Sequence, residues 1–388
     1  MEHTLDIPEI ELAGDWPPGR VLPAAAKPST SRSARSAMRR GRAALIWGLA
    51  AFVALQLGLS IRMDRRQPEL RDPEYGYKLI RLNSLRNQNP HRPLLLVLGS
   101  SRSGMGFSGR VFEEFALDDT GVPLTFNFSM TGGGPMLELM TLKRVLKAGI
   151  RPDRVIIEIL PPLLNDTGPL GEAVMLNINR LGWDDLAAIE EYTGLPHYEL
   201  RNWCRSRMTP WYSHRFCFMS RYAPGWLEWG ARMDGWAELD DHGWLPSRKK
   251  TVTAEEYRQG VERAKKEYAE PLKSYRISEK ADKTMHELLD LCRREKIQAM
   301  LLMMPEGTEF KTWYPSSARE SIGCYVAKLG HEFDIPVNDC RDWMNDAAFW
   351  DNHHLLPSGA TEFTRRFVHE LYLPYLKAGN PKLAHLGR

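Results

Sequence analysis

A serine early in the regular part of the chain, and an acid and an imidazole far downstream, could do chemistry together. Ser101 follows an apolar run, and Asp351 and His354 stand three positions apart. A serine hydroxyl is a poor nucleophile unless an imidazole takes its proton and a carboxylate orients that imidazole. These residues predict a catalytic triad in which Ser101 is the nucleophile, His354 the general base and Asp351 the orienting acid.

Two glycine-containing turns follow strand-like apolar segments and could support this chemistry. The run 94–98 ends at Gly-Ser-Ser, and the run 122–128 ends in a turn that contains Gly132. In an open α/β sheet such turns lie at the carboxyl edge, where ligands bind. Negative charge on an acyl oxygen needs preorganised N–H donors, so we predict that Ser101 and Gly132 form an oxyanion hole.

Strands and helices alternate over the folded part of the sequence. Candidate strands occupy 94–98, 122–128, 154–160, 299–304 and 335–337. This alternation is typical of a parallel sheet covered by helices. We predict an α/β fold with a doubly wound sheet of about five strands, in a domain over 94–378 followed by a tail over 379–388.

An aromatic-rich stretch interrupts the alternation, and we predict a helical insertion over 165–250. Six of the twelve tryptophans of the chain lie between Trp203 and Trp244. Three interpretations stay open for these side chains: an acceptor groove, a surface at the membrane interface, or the packed core of the insertion.

The segment 43–61 contains no charged residue over 19 positions. At 1.5 Å per residue such a helix is about 28 Å long, which is close to the thickness of a hydrocarbon core. We predict a single transmembrane helix there, after a disordered basic tail over 1–42 and before a connector over 62–93. Five arginines before the span and four after it favour a cytoplasmic N-terminus and an extracytoplasmic domain.

Composition excludes several other classes of function. A net charge of +3 gives no case for nucleic acid, and five cysteines without a CxxC pair signal neither a zinc site nor a disulfide framework. His353 beside Asp351 and His354 suggests a metal site, but adjacent ligands rarely converge without another element. We therefore predict no metal and no cofactor.

Three short motifs together resemble the SGNH hydrolase superfamily. They are similar to its blocks I, II and V and span residues 94 to about 370: Gly99-Ser100-Ser101, Asn127-x-x-Met130-Thr131-Gly132 and Asp351-x-x-His354-Leu355 with Gly359. The resemblance implies a flavodoxin-like sheet and a Ser-His-Asp centre for acyl esters. It also implies that Ser101, His354 and Asp351 form the triad and that Gly132 donates to the oxyanion.

Ser100 stands where this superfamily usually has aspartate. That replacement resembles a branch with one N-terminal membrane anchor that assists O-acylation of cell-envelope polymers, including proteins similar to a component of the D-alanyl-lipoteichoic acid pathway. The resemblance implies a membrane-anchored acyl-ester transferase or esterase with an acyl-serine intermediate. Its partners would be the cytoplasmic membrane, an acyl donor and a carbohydrate or polymer acceptor.

One block departs from the pattern. The superfamily has Gly-x-Asn-Asp after its third strand, whereas this strand ends at Leu160-Pro161-Pro162, with Asn165 three positions late. Loss of one oxyanion donor costs about 100-fold to 1000-fold in turnover. A slow enzyme, a replacement donor such as Arg102, and an inactive scaffold subunit beside a membrane-bound O-acyltransferase all stay open. Further candidates for lining the site, each with a structural alternative, are Ser100, Arg102, Asn127, Glu306 and His353.

Overall fold

The computed structural model describes residues 32–116, 122–165, 178–182, 185–186, 197–228 and 231–379. Within these residues, five parallel strands form one sheet in the order β2-β1-β3-β4-β5. The strands are β1 Leu94–Leu98, β2 Leu124–Asn127, β3 Arg154–Glu158, β4 Gln298–Met303 and β5 Val337–Asp339. The predicted α/β fold with a parallel sheet is confirmed.

The strand order explains where a site can form. β1 lies between β2 and β3. The chain places β2 on one side of β1 and all later strands on the other side, so the strand order reverses at β1, which is the switch point of a flavodoxin-like sheet. A crevice opens there at the carboxyl ends of the strands. The last strand begins later than predicted, at Val337, because Pro336 has no N–H to donate to a ladder.

The described chain also forms α-helices, several of which cover the two faces of the sheet. They are α1 Arg32–Arg66, α2 Pro68–Arg71, α3 Pro73–Gln88, α4 Ser101–Gly106, α5 Gly109–Ala116, α6 Pro135–Lys147, α7 His197–Met208, α8 Pro210–Ser213, α9 Arg215–Tyr222, α10 Ala254–Lys273, α11 Glu279–Glu295, α12 Thr308–Thr312, α13 Ser316–Phe333, α14 Pro357–Phe367 and α15 Leu373–Gly379. Short 3₁₀ segments occur at Pro161–Leu164, Ile178–Arg180, Pro224–Trp226, Asp234–Glu238 and Asp346–Ala348, and Val368–Tyr372 is π-helical.

Two apolar clusters form the core, one on each face of the sheet. Leu96 and Leu98 of β1 belong to the cluster that α3, α6, α11 and α13 complete. Val97 of the same strand belongs to the cluster that contains Phe107 and Phe363. Successive residues of β1 therefore serve opposite cores, as the period of a strand requires.

The segment 62–93, predicted as a connector, packs into the folded part of the chain. Leu82 of α3 is fully buried in the core. Lys78 of the same helix is buried too and donates hydrogen bonds of 2.9 Å to the carbonyl oxygens of Asn127 and Gly243. Burial lowers the pKa of Lys78 to about 8. The charged residues of α3 indicate an exposed segment, but two backbone acceptors make burial of this lysine tolerable.

Helix α1 contains the predicted span 43–61 but begins earlier, at Arg32, and ends later, at Arg66. Its portion Ser36–Arg66 contains an 18-residue window with a mean hydropathy of 2.0 and is long and apolar enough to cross a membrane. An N-terminal helix suited to single-pass anchoring is therefore confirmed. Residues 1–31 of the predicted tail and 380–388 of the predicted C-terminal tail lie outside the described residues.

The described aromatic residues of the insertion differ in burial, and Trp229 lies outside the described residues. Trp203 is buried and donates from Nε1 to the Leu181 carbonyl at 3.1 Å, and Trp244 donates to the Met105 carbonyl at 2.7 Å. Trp226, in contrast, is 84% exposed. Packing therefore accounts for only part of this set.

Candidate active site

Ser101, His354 and Asp351 meet in one hydrogen-bonded chain. Ser101 Oγ lies 2.8 Å from His354 Nε2, and His354 Nδ1 lies 2.8 Å from Asp351 Oδ2. The Asp351 side chain is 5% exposed and that of His354 is 13% exposed. These distances are those of good hydrogen bonds, and the three groups follow the order of the predicted nucleophile, base and orienting acid.

The turn between β1 and α4 presents Ser101 as the first residue of a helix. Ser100 caps this helix, and its Oγ accepts a hydrogen bond from Arg102 N–H at 3.1 Å. The Ser100 hydroxyl itself donates to Glu158. Ser100 thus supports the turn, while the Ser101 hydroxyl faces His354.

Glu158, the last residue of β3, binds the turn 99–103, which we call the nucleophile turn because it carries Ser101. Its carboxylate accepts hydrogen bonds from Ser100 N–H at 2.7 Å, from Ser100 Oγ at 3.0 Å, from Ser103 N–H at 3.3 Å and from Ser103 Oγ at 2.6 Å. Only glycine fits at Gly99, because a Cβ there would collide with Glu158 and Ser103. Sequence reasoning missed Glu158, although an acid that ends an otherwise apolar strand was a usable signal.

The loop 351–354 orients the base through its own backbone. Asp351 Oδ1 accepts hydrogen bonds from His354 N–H at 2.8 Å and from His353 N–H at 3.3 Å, while Oδ2 accepts from the His354 ring. Burial by itself would raise the pKa of Asp351, but the charge and hydrogen bond of His354 outweigh it and lower this pKa. The carboxylate therefore stays ionised and keeps His354 in one orientation.

Asn352 gives this loop its shape. It has a φ of 74°, in the left-handed region that asparagine adopts more readily than most residues. Its Nδ2 donates to Tyr257 Oη at 2.8 Å, and its Oδ1 accepts from Phe310 N–H at 3.3 Å. Sequence reasoning missed this residue, since nothing in the pattern distinguishes it from a loop asparagine.

Two neighbours enclose the other sides of the loop. The Trp350 ring stacks on the His354 ring with an interplanar angle of 12° and 5.5 Å between centroids. Helix α10 approaches at Gly260, where a Cβ would lie 2.8 Å from Asp351 Cβ and 3.0 Å from the Trp350 carbonyl oxygen. The absence of a side chain at Gly260 is what permits this contact.

The turn that contains Gly132 lies beside the nucleophile turn. Met130 N–H donates to the Gly99 carbonyl at 2.8 Å, and Gly132 has a φ of 71°. From the other side, Glu74 of α3 accepts from Thr131 N–H at 2.7 Å. Within the described part of the chain, no hydrogen-bond acceptor faces the N–H groups of Ser101 and Gly132. These two donors are thus available to an oxyanion.

Arg102 and Glu306 form a buried ion pair of 3.2 Å, with both side chains 1% exposed. Arg102 also donates to the carbonyl oxygens of Met304 and Pro305, at 3.1 and 2.8 Å. Burial lowers the pKa of Arg102, but the carboxylates of Glu306 and Glu158 outweigh burial and raise it. Both terminal nitrogens of the guanidinium are therefore used in this buried cluster, which does not favour the replacement oxyanion donor considered above.

Asn127 is also structural in its contacts. It is fully buried and donates from Nδ2 to the carbonyl oxygens of Ser103 at 2.8 Å and Phe107 at 2.7 Å. These bonds connect the end of β2 to α4, so Asn127 holds the helix that begins at Ser101.

His353 packs behind the base. Its ring lies 4.0 Å from that of His354 and stacks on Phe310 at 5.6 Å, between centroids. Burial, and then the positive charge of His354, lower the pKa of His353 well below its ordinary value, so this ring stays neutral. Metal-ligating atoms of Asp351, His353 and His354 lie within 4.8 Å of one another, but both His354 nitrogens already serve the triad. A metal held by His354 would have to displace one of these two hydrogen bonds.

The missing oxyanion asparagine has no substitute at Asn165. The 3₁₀ turn Pro161–Leu164 leads to Asn165, which is buried. Its amide donates to the Pro271 carbonyl and accepts from Arg276 N–H at 3.0 Å. This side chain joins the insertion to α10 and is not directed at Ser101.

Comparison with protein families gives a match to part of the chain. Residues 77–177 are similar to a family described as protein of unknown function (DUF1574). The matched region runs from α3 to beyond β3, so it includes Ser101, Gly132 and Glu158 but ends before Asp351 and His354. No curated protein matches the chain. The SGNH resemblance stays a prediction.

Replacement of Glu158 by glutamine should loosen the nucleophile turn. A carboxamide has one acceptor oxygen and would turn N–H groups toward the Ser100 and Ser103 donors, which costs about 1–3 kcal/mol in a buried site. We expect a lower thermal unfolding midpoint for Glu158→Gln in the detergent-solubilised full chain. The exposed matched control, Glu320→Gln, should change stability by less than about 0.5 kcal/mol. Equal midpoints for the two variants would refute the role assigned to Glu158.

Two helix glycines should respond in opposite ways to alanine. Gly323 of α13 has open space around it, so Gly323→Ala should stabilise the chain by about 0.5–1 kcal/mol through the unfolded state. Gly260→Ala must push against Asp351 and Trp350, so its unfolding midpoint should fall instead. A rise in both variants would show that the loop 351–354 tolerates displacement by α10.

Proposed function

We propose that this chain is a membrane-anchored acyl-ester transferase or esterase that works through an acyl-Ser101 intermediate. The observation that carries the proposal is the pair of 2.8 Å hydrogen bonds from Ser101 to His354 and from His354 to Asp351. The SGNH resemblance of the three motifs points to the same reaction class, and α1 supports a place at the membrane.

The reaction proceeds in two halves. Ser101 Oγ attacks the acyl carbonyl carbon while His354 Nε2 takes the hydroxyl proton, and Asp351 stabilises the imidazolium. The oxyanion accepts hydrogen bonds from the N–H groups of Ser101 and Gly132. His354 then gives its proton to the leaving alkoxide as the ester bond breaks. In the second half, water or an acceptor hydroxyl loses a proton to His354 and attacks the acyl-serine carbonyl carbon. The bond to Ser101 Oγ then breaks, and His354 returns the proton to this oxygen, which releases the product and restores the free serine.

The substrate class and the side of the membrane belong to the proposal as well. An extracytoplasmic domain would meet cell-envelope polymers, so we propose that a carbohydrate hydroxyl is the acceptor. The arginine balance around α1 favours this orientation, with the N-terminus in the cytoplasm.

A second function is favoured by the incomplete oxyanion hole. The asparagine of a full oxyanion hole is missing, Asn165 is used elsewhere, and Arg102 is committed to Glu306. A chain with an intact triad but a weak oxyanion hole could act as a binding or scaffold subunit beside a membrane-bound O-acyltransferase.

Labelling by a fluorophosphonate probe tests the first function. We expect the full chain in detergent to be labelled, Ser101→Ala to lose the label, and the exposed control Ser317→Ala to keep it. Asp351→Asn should slow labelling by up to about 10⁴-fold, because the base loses its tautomer. Label retained in Ser101→Ala would exclude Ser101 as the nucleophile. A folded wild-type chain that stays unlabelled would favour the scaffold function.

Acceptor choice separates transferase from esterase. With an activated acetyl ester as donor, a transferase should form an acetylated oligosaccharide faster than it releases acetate to water. Mass spectrometry of the oligosaccharide and a titration of acetate measure the two rates, and Ser101→Ala gives the background for both. If the rate of acetate release is the same with and without the oligosaccharide, the protein is a plain esterase.

A further inference from the structure

Helices α7 to α9 and the turn after them expose an unusual number of large apolar side chains. Met208, Trp211, Tyr212, Tyr222 and Trp226 are 66%, 58%, 59%, 64% and 84% exposed. We call the segment 208–226 the aromatic surface. Large exposed apolar sets rimmed by polar residues mark interaction sites in soluble and membrane proteins alike.

The last turns of α1 pack against this part of the chain. Gln56 is buried, and its Oε1 accepts a hydrogen bond from Trp211 N–H at 3.4 Å. One turn and two turns further, Ser60 and Met63 are buried too, and Met63 packs with Phe218. Asp64 adds ion pairs with Arg71 and Arg207 to this contact.

The same turns of α1 are apolar and exposed on their other side. Leu55, Leu57 and Ile61 are 67%, 49% and 54% exposed. In water this arrangement is costly, whereas in a bilayer these side chains face lipid. The membrane therefore extends along α1 to about the level of Ile61.

The position of Ile61 in the bilayer sets the depth at which the aromatic surface lies. Trp211 contacts α1 at Gln56, five residues before Ile61, which corresponds to about 7.5 Å along the helix axis. Helix α8 thus lies at the depth of the boundary between headgroups and acyl chains. We propose that the aromatic surface rests in this interfacial layer of the bilayer that α1 spans, and that its occupant is lipid.

The chemistry of the surface fits phospholipid headgroups. Tryptophan and tyrosine prefer the headgroup level, since their rings are apolar and their N–H or O–H groups are polar. The Arg215 guanidinium lies 4.4 Å from the Tyr212 ring centroid and 4.6 Å from that of Phe216. Exposed Arg205 and Arg221 add positive charge, which attracts anionic lipids.

Lipid contact here would orient the domain as well as anchor it. Helices α2 and α3 follow α1 almost directly, and Glu74 of α3 holds the turn that contains Gly132. One face of the domain would then always meet the membrane. This inference does not depend on the proposed function, since it requires no reaction at Ser101.

Two native cysteines provide a matched pair of probes. Cys204 is exposed on α7, one turn before Met208 on the same helix face, and Cys324 is exposed on α13. The other three thiols should react poorly, because burial raises the pKa of Cys217 to about 11, that of Cys292 to about 12, and that of Cys340 further.

Quenching by spin-labelled lipid tests the proposal in the full chain. Cys324→Ser leaves Cys204 for labelling with an environment-sensitive fluorophore, and Cys204→Ser leaves Cys324. Both labelled proteins are reconstituted into vesicles of phosphatidylcholine and phosphatidylglycerol, with and without doxyl-labelled lipid. We expect quenching at Cys204 to be at least about twofold stronger than at Cys324.

A further variant separates lipid contact from mere proximity to α1. Trp226→Ser, combined with Tyr222→Ser, should reduce quenching at Cys204 while circular dichroism stays unchanged. Equal quenching at the two cysteines, or none at Cys204, would overturn the proposal and assign the aromatic surface to a protein partner.

Discussion

The buried carboxylate of Glu158 is the constraint on which the site depends. A buried charge is tolerated only when hydrogen bonds replace those that water would make. Here Ser100, before Ser101, and Ser103, after it, supply four donors. Because β3 pairs with β1, the carboxylate stands under the turn at the point where the strand order reverses. The position of the nucleophile is therefore set by the sheet itself.

The loop 351–354 forms the other half of the site, and the tertiary fold places it beside Ser101. Asp351 and His354 are close in sequence, and their pairing is local. The contact of His354 with Ser101 joins residues 253 positions apart and needs β4, β5 and α14 in place. Asn352, Phe310 and Gly260 bring the loop 351–354 to the carboxyl edge.

The membrane helix and the site share structural elements. Glu74, shortly after the end of α1, accepts a hydrogen bond from the turn that would bind the oxyanion. Lys78, one turn later, ties the same helix to the end of β2 through the Asn127 carbonyl. The segment that follows the apolar helix thus also supports the carboxyl edge of the sheet.

The sequence by itself determined the alternation of strands and helices, the apolar helix and the three residues of the proposed triad. These features are local patterns: apolar period, glycine at strand ends, and the spacing of an acid and an imidazole. Only the tertiary structure decided the roles of Glu158, Glu74 and Asn352, the pairing of Arg102 with Glu306, and the division of the tryptophans into buried and exposed. A buried glutamate that accepts four hydrogen bonds and a glutamate exposed to water are the same residue type in the sequence. Their difference comes from donors far away in the chain.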